Sequence, residues 1–369
     1  MVEIDIDEEV AVQSTSVEDE RKVAVRMSVV GLGQGGGNIA DAFWKLGYRR
    51  VGVVNTTDKD MQRLSCPNRY VMKSPGGAGK NPDVGRKCAE AESDEILAFM
   101  TKTFGQNTDH VMLTVSLGGG TGTGSVFPSI KIAQEYMKSI NKDFKKTVGV
   151  IATLPSRAES PAVFGNAVDA LKELCALADA GEISPLVLVD NQKVVDMFGG
   201  ASVLDAWGKA NKNIAALFNV FNELAAQNND HVVVTFDPED YKSVLKSGIL
   251  GFGRSKLIQV STPTAIAEAV RANVKQGLLV DGLDISKATS AAGVLVASED
   301  NMQGVPQDAL ESAFGALSRM LDPGPKTKLH RGVIISPSQP VTMYVLISGL
   351  GAPEKKIAEM EIKAGRVYP

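Results

Sequence analysis

One glycine-rich segment constrains the fold of this 369-residue chain more than any other. It consists of Gly118, Gly119, Gly120, Thr121, Gly122, Thr123 and Gly124. An apolar run at 111–115 precedes it, and a helix is predicted from Ser125 to about Lys138. A strand, a glycine turn and a helix start form an anion site, because unpaired backbone N–H groups and the positive end of the helix dipole meet there. Glycines allow close approach of a phosphate and the two threonine hydroxyls add donors, so the segment predicts a phosphate-binding loop rather than a plain connecting turn.

Composition narrows the class of protein. With 44% hydrophobic and 22% charged residues, the chain is typical of a globular protein of two domains. A net charge of −4 argues against a dedicated nucleic-acid binder. No apolar run reaches the ~18 residues that span a bilayer, and the acidic residues 3–9 do not resemble a signal peptide, so no direct membrane insertion is expected. Three widely spaced cysteines favour a cytoplasmic location, and the three histidines form no metal-ligand spacing with them; all six are interpreted as structural or incidental.

Short apolar runs alternate with amphipathic stretches from residue 25 onwards, after an acidic tail at 1–24 that is predicted to be disordered. The predicted strands are 27–32, 50–55, 111–117, 147–154 and 186–190, and the predicted helices are 38–46, 86–103, 125–138 and 162–178. This alternation predicts an α/β fold with a parallel sheet covered by helices on both faces, as a domain spanning 25–200.

The pattern changes after residue 200. Apolar residues from Val203 to Leu224 recur at spacings of four and three, which predicts a long linking helix within 201–228. A helix at 263–276, a strand at 292–298, a helix at 306–321 and strands at 331–336 and 341–348 follow. These elements predict a smaller α+β domain at 229–355, followed by a short tail at 356–369.

A second glycine-rich loop follows the first predicted strand and includes Gly33, Gln34, Gly35, Gly36 and Asn38. A G-x-G-x-x-G pattern alone would favour a dinucleotide oxidoreductase. That function requires an acidic residue after the second strand, where this chain has Asn55, Thr56, Thr57 and Asp58. A dehydrogenase also has no use for a second phosphate loop, so an NAD-dependent oxidoreductase is kept only as a remote alternative.

The third loop contains Gly77, Ala78, Gly79, Lys80 and Asn81. Such a segment can be a simple cluster of turns, but its place between the other two loops favours a phosphate-covering loop that opens a helix near Val84. Lys80 is either a point charge that reaches a terminal phosphate or a solvent-exposed lysine.

Taken together and in order, these three loops resemble those of the tubulin/FtsZ family of GTP-dependent filament proteins, over nearly the whole chain after residue 25. The resemblance implies a Rossmann-like GTP-binding domain joined by a long central helix to a smaller α+β domain, with GTP or GDP bound together with Mg²⁺. It places Asn55 and Thr56 in a further nucleotide loop and Glu159 at the ribose. It also implies that Asn191 and Asn211 bind the guanine edge and that Trp207 stacks on the base.

The same resemblance implies that Asp237 and Asp240 are catalytic. In the family, a loop carrying two acids three residues apart enters the nucleotide pocket of the next subunit and orients the attacking water. Hydrolysis would then require head-to-tail assembly of the chain with itself into protofilaments. Asp237 also fits a helix N-cap before Pro238, and both roles can hold together.

Several residues depart from the FtsZ pattern. The arginine that follows the ribose glutamate is absent, Thr235 replaces a leading asparagine, and Lys212 stands where an acid is common. The short sequence after the second domain leads us to expect no long linker and no apolar anchor peptide, so the adaptor is unknown and a role in cell division loses support. A divergent FtsZ-like GTPase is the main hypothesis, and a nucleotide-binding filament scaffold or regulator that does not hydrolyse GTP is the alternative.

Overall fold

The computed structural model describes residues 23–366 except 75, 141–143, 145, 199, 201, 228–231, 258–263, 276–281 and 338. Residues 1–22 of the predicted acidic tail lie outside the described residues. The chain divides into two compact units. Among the described residues, the first unit comprises those within 26–216, residue 282 and 353–366, and the second comprises those within 23–25, 217–275 and 283–352.

The first unit alternates strands and helices. In chain order they are β1 Met27–Leu32, α1 Gly33–Lys45, β2 Val51–Asn55, β3 Arg69–Val71, α2 Pro82–Ala91, α3 Ser93–Phe104, β4 His110–Ser116, α4 Thr121–Ser139, β5 Val148–Leu154, α5 Pro161–Asp179, β6 Leu186–Asp190 and α6 Asn191–Phe198. The strands form a wholly parallel sheet in the order β3-β2-β1-β4-β5-β6. The predicted parallel α/β fold is therefore confirmed. Because the chain crosses from β3 back to β4 beside β1, the strand order reverses between β1 and β4, which is where such sheets bind ligands.

Helix α7, Val203–Leu224, follows and extends into the second unit. That unit continues with β7 Val232–Val234, α8 Pro238–Leu245, β8 Ile249–Lys256, α9 Ala265–Lys275, β9 Ser290–Ala297, α10 Glu299–Gln303, α11 Gln307–Ser318, β10 Lys328–Ile335 and β11 Thr342–Leu350. Its strands lie in the order β8-β11-β9-β10-β7, with β9 and β10 parallel and the other pairs antiparallel. Mixed pairing of this kind is typical of an α+β unit.

Two predicted segments have a different kind of structure from the one expected. The single helix predicted at 86–103 is divided into α2 and α3 at Glu92, whose backbone leaves the helical range. The Glu92 carboxylate is buried there and accepts hydrogen bonds from the Tyr70 hydroxyl and the Lys73 N–H, both at 2.6 Å. Part of the tail predicted at 356–369 instead belongs to a helix, α12 Glu354–Lys363, which packs against α5.

A buried ion pair holds α12 in the first unit. Lys356 Nζ lies 2.9 Å from Asp190 Oδ2 and 3.2 Å from Glu359 Oε2. Burial alone would lower the pKa of Lys356, but hydrogen bonds and charge from Asp190 and Glu359 outweigh burial and raise it. No helix among the described residues is long and apolar enough to cross a membrane.

Candidate functional site

Two helix N-termini meet at the point where the strand order of the first sheet reverses. Helix α1 follows β1 directly, and α4 follows the neighbouring strand β4 after the loop at 117–120. Gly33 begins α1 with φ of +66°, and a Cβ built on it would lie only 2.9 Å from the Gly122 nitrogen in the first turn of α4. Neither first turn contains an acidic residue. The unpaired N–H groups and positive dipole ends of both helices therefore point to one anion site.

Gly36 positions α1 against the sheet. A Cβ at this position would lie 2.0 Å from the Thr114 carbonyl oxygen, a contact that no side chain can make. The Thr114 hydroxyl donates to the Gly36 carbonyl at 2.7 Å and secures the same contact. Gly35 similarly passes close to Ser116. These two predicted ligand residues therefore serve close helix–strand packing, which brings Gly33 to its place.

The loop at 118–120 has one residue that faces open space. Gly118 adopts φ of +100° and donates its N–H to the Thr123 hydroxyl at 2.8 Å. Thr123 is buried, so its hydroxyl supports the loop. A Cβ on Gly119, by contrast, would meet no atom of the described residues within 4 Å, while one on Gly120 would lie 2.8 Å from the Ala78 Cβ. The arrangement leaves room for an anion at Gly119.

The loop at 77–81 closes against the loop at 118–124 through contact between α2 and α4. A Cβ on Gly124 would come within 1.9 Å of the Pro82 carbonyl oxygen, so the two helices approach as closely as their backbones allow. Asn81 caps α2 by accepting from the Asp83 N–H at 3.0 Å. Near this contact the hydroxyls of Thr56 and Thr121 lie 2.6 Å apart. The structure thus brings together three of the predicted nucleotide loops.

Among the described residues, the side chains assigned to the ribose and the base are not part of these close contacts between the loops. Lys80, with φ of +60°, places its Nζ 3.7 Å from Glu159 Oε2, and both side chains are largely exposed. Asn191 Nδ2 donates to the Thr153 hydroxyl at 3.4 Å. Trp207 on α7 is 37% exposed, and within the described part of the chain neither Trp207 nor Asn211 forms a hydrogen bond to the glycine loops.

The remaining predicted ligands lie on α1 and at the end of β2. Gln34 and Asn38 are exposed on α1, whereas Asn55 is buried and accepts the Thr56 N–H at 2.8 Å. Sequence reasoning missed Asn166, whose Nδ2 donates to the carbonyls of Lys80 and Gly118 at 3.1 and 3.2 Å. An asparagine in the mainly apolar helix α5 was the only sequence signal for that link.

Asp237 and Asp240, in the second unit, form a capping box at the start of α8. Asp237 Oδ1 accepts the N–H groups of Glu239 and Asp240, both at 2.9 Å, and Asp240 Oδ2 accepts the Asp237 N–H at 3.2 Å. The helix-cap interpretation of Asp237 is confirmed. Asp237 Oδ2 accepts no hydrogen bond from the described residues, so this carboxylate retains one oxygen for a further contact.

Comparison with known proteins identifies the family. The family model "Tubulin/FtsZ family, GTPase domain" matches residues 26–199, and "Tubulin/FtsZ-like protein TubZ-like, C-terminal domain" matches residues 220–358. Cell division protein FtsZ of Mycoplasmopsis pulmonis is 25% identical over 345 residues, covering 91% of this chain and 80% of that protein. Tubulin-like protein TubZ of Bacillus cereus is 24% identical over 291 residues, covering 72% of this chain and 64% of that protein.

A solved structure shows the same fold. The GTPγS-form protofilament of TubZ from Bacillus thuringiensis serovar israelensis superposes with a TM-score of 0.77 at 16% identity, covering 93% of this chain and 92% of that chain. The two family models together match most of the sequence. The chain therefore belongs to the tubulin/FtsZ family, and it is a cytoskeletal GTPase of the FtsZ and TubZ type.

Proposed function

We propose that this chain polymerises head-to-tail and hydrolyses GTP at a site that two copies share. The observation that carries the proposal is the meeting of the N-termini of α1 and α4 beside the open space at Gly119. Two neighbouring helix N-termini with no acidic residue in their first turns favour a multiply charged anion such as a triphosphate.

The phosphates would lie against the backbone of Gly119, Gly120 and Thr121, with the third loop covering them. Glu159 would accept a ribose hydroxyl, and Asn191, Asn211 and Trp207 would contact the guanine. No group of three or more metal-ligating side chains occurs among the described residues. Mg²⁺ usually retains water and binds through substrate phosphates, so we place it on the phosphates rather than in a protein cage.

The attacking water would be oriented by the neighbouring copy. Asp237 Oδ2 is a hydrogen-bond acceptor without a partner among the described residues, at the partly exposed start of α8. Orientation of a water by such an oxygen chiefly positions it for attack on the γ-phosphate. A contact of this kind is heterologous, because it joins two different surfaces, and repeats into an open filament.

The experiment is GTP turnover per subunit as protein concentration rises, with pelleting measured in the same tubes. Turnover that begins above a critical concentration, together with pelleted protein, is the expected result. A constant turnover per subunit with no pelleted protein would contradict the shared site.

A second candidate is a filament scaffold that binds GTP without hydrolysing it. The observation favouring it is that three of the four carboxylate oxygens of Asp237 and Asp240 already bind groups of their own chain. GTP-dependent pelleting without phosphate release would support this candidate and exclude assembly-dependent hydrolysis.

A further inference from the structure

We propose that His330 is a positioning residue for GTP hydrolysis and acts by holding Asp240 in place. The inference rests on the proposed function of the Asp237 and Asp240 loop. It concerns a residue on a different element from the loop, and one that the sequence pattern gave no reason to select.

The contact between His330 and Asp240 is short. His330 Nδ1 lies 2.6 Å from Asp240 Oδ1, and the two side chains are only 14% and 27% exposed. An ionised carboxylate only accepts hydrogen bonds, so the ring carries its proton on Nδ1 and donates it. His330 belongs to β10, which lies between β9 and β7, and it pairs in register with Ala292. The ring is therefore anchored on an inner strand rather than on a loop.

This hydrogen bond completes the restraint of Asp240. Its other oxygen, Oδ2, accepts the Asp237 N–H at 3.2 Å. One oxygen is thus held by the strand and the other by the helix cap, so the Asp240 side chain cannot rotate without breaking both. Because Asp240 Oδ2 accepts the Asp237 N–H in the capping box, the restraint also holds the backbone of Asp237, whose side chain carries Oδ2, the oxygen proposed to orient water.

The second ring nitrogen of His330 argues against a purely structural role. Nε2 is buried and has no hydrogen-bond partner among the described residues. A buried polar atom without a partner lowers stability, and an apolar side chain of similar size would avoid that loss. A histidine at this position is therefore better explained by what its Nδ1 does for Asp240.

The test compares His330→Leu with His330→Asn. Leucine cannot donate, whereas asparagine carries an amide donor near the position of Nδ1. We expect His330→Leu to lower kcat by about ten- to a hundred-fold through misplacement of the loop carboxylates. The KM for GTP, the critical concentration and the melting temperature should stay close to those of the wild type. His330→Asn should recover most of kcat. The control is Arg331→Gln, since Arg331 pairs instead with Glu311 at 3.4 Å.

A merely structural histidine would give a different result: kcat would fall only together with melting temperature, and asparagine would not restore it. That outcome overturns the inference.

A double-variant cycle separates this inference from the proposed function. If His330 acts through Asp240, then His330→Leu should lower kcat no further once Asp240→Asn is present. If Asp240→Asn lowers kcat and His330→Leu does not, the inference fails and the proposed function stands. If Asp240→Asn itself leaves kcat unchanged, the proposed role of the loop fails first.

Discussion

Replacing Asp237 with asparagine or with alanine separates its two roles, helix cap and proposed water-orienting group. Asp237 Oδ1 accepts two backbone N–H groups at 2.9 Å. An asparagine oxygen can accept both bonds, so Asp237→Asn should lose only the carboxylate charge near the helix N-terminus, about 0.5 kcal/mol of unfolding free energy. Asp237→Ala loses the cap as well, about 1 kcal/mol or somewhat more. In a domain of 150–250 residues, a loss of about 1 kcal/mol lowers the melting temperature by roughly 2–4 °C.

The loss of GTP turnover should not follow the loss of stability in these two variants. Both variants lack the free carboxylate oxygen, so both should reduce GTP turnover by about a hundred-fold or more at protein concentrations above the wild-type critical concentration. A hundred-fold loss corresponds to about 2.7 kcal/mol of transition-state stabilisation, well above either change in stability. The assays are phosphate release and thermal unfolding on the same preparations.

The matched control for this pair is Glu239→Gln. Glu239 is the neighbouring acid, its side chain is 82% exposed and it pairs with Lys242. Its replacement should leave turnover near the wild-type value. Wild-type turnover in Asp237→Asn, with loss only in Asp237→Ala and in proportion to stability, would refute the reasoning. Asp237 would then be a helix cap and nothing more.

Three further predictions concern the first unit. Gly119→Ala should weaken GTP binding in an equilibrium binding assay, because its methyl group enters the open space proposed for the phosphates; for the same reason the melting temperature should not fall. The control is Gly304→Ala in the second unit, which is also at negative φ and should change neither GTP binding nor the melting temperature. Lys356→Met should lower the free energy of unfolding by about 3 kcal/mol in denaturant titrations, because it leaves the buried Asp190 carboxylate without its ion-pair partner. Adding Asp190→Asn should recover part of that loss. Burial raises the pKa of Cys175 to about 12. Iodoacetamide at about pH 8 should therefore modify this thiol only after unfolding, as measured by mass spectrometry. Fast labelling of Cys175 in the folded protein would contradict its burial.

Five of the six strands of the first sheet could be predicted because they are mainly apolar runs ended by polar or glycine residues. The three-residue strand β3, Arg69–Val71, has no such run and was missed. The bounds of β1 and β6 agree with the sequence prediction to the residue. The starts of α1 and α4 could not be predicted, and both helices begin four or five residues earlier than expected. Glycine is a poor helix former, so Gly33 to Gly37 read as a loop. Their helical state depends on close contact with β4, which local sequence does not report.

The candidate site, too, could be predicted from the sequence only in part. Motif spacing identified the loops that meet at the switch point, because each loop follows its own strand. It could not identify Asn166 or Lys356, since both act through partners distant in sequence. A lysine on a polar helix normally reads as solvent-exposed, and only the fold shows that Lys356 is buried against Asp190. His330 was missed for the same reason.

The central claim, that two copies share one site, is tested most directly by mixing two inactive variants. One is Asp237→Asn with Asp240→Asn, which keeps the phosphate loops; the other is Gly119→Asp, which keeps the aspartates but places a negative charge at the proposed phosphate position. In a random copolymer about one contact in four joins the two intact halves, so mixing should restore about a quarter of wild-type GTP turnover. Turnover that stays at the level of the separate variants, although mixed filaments pellet, would contradict the shared site.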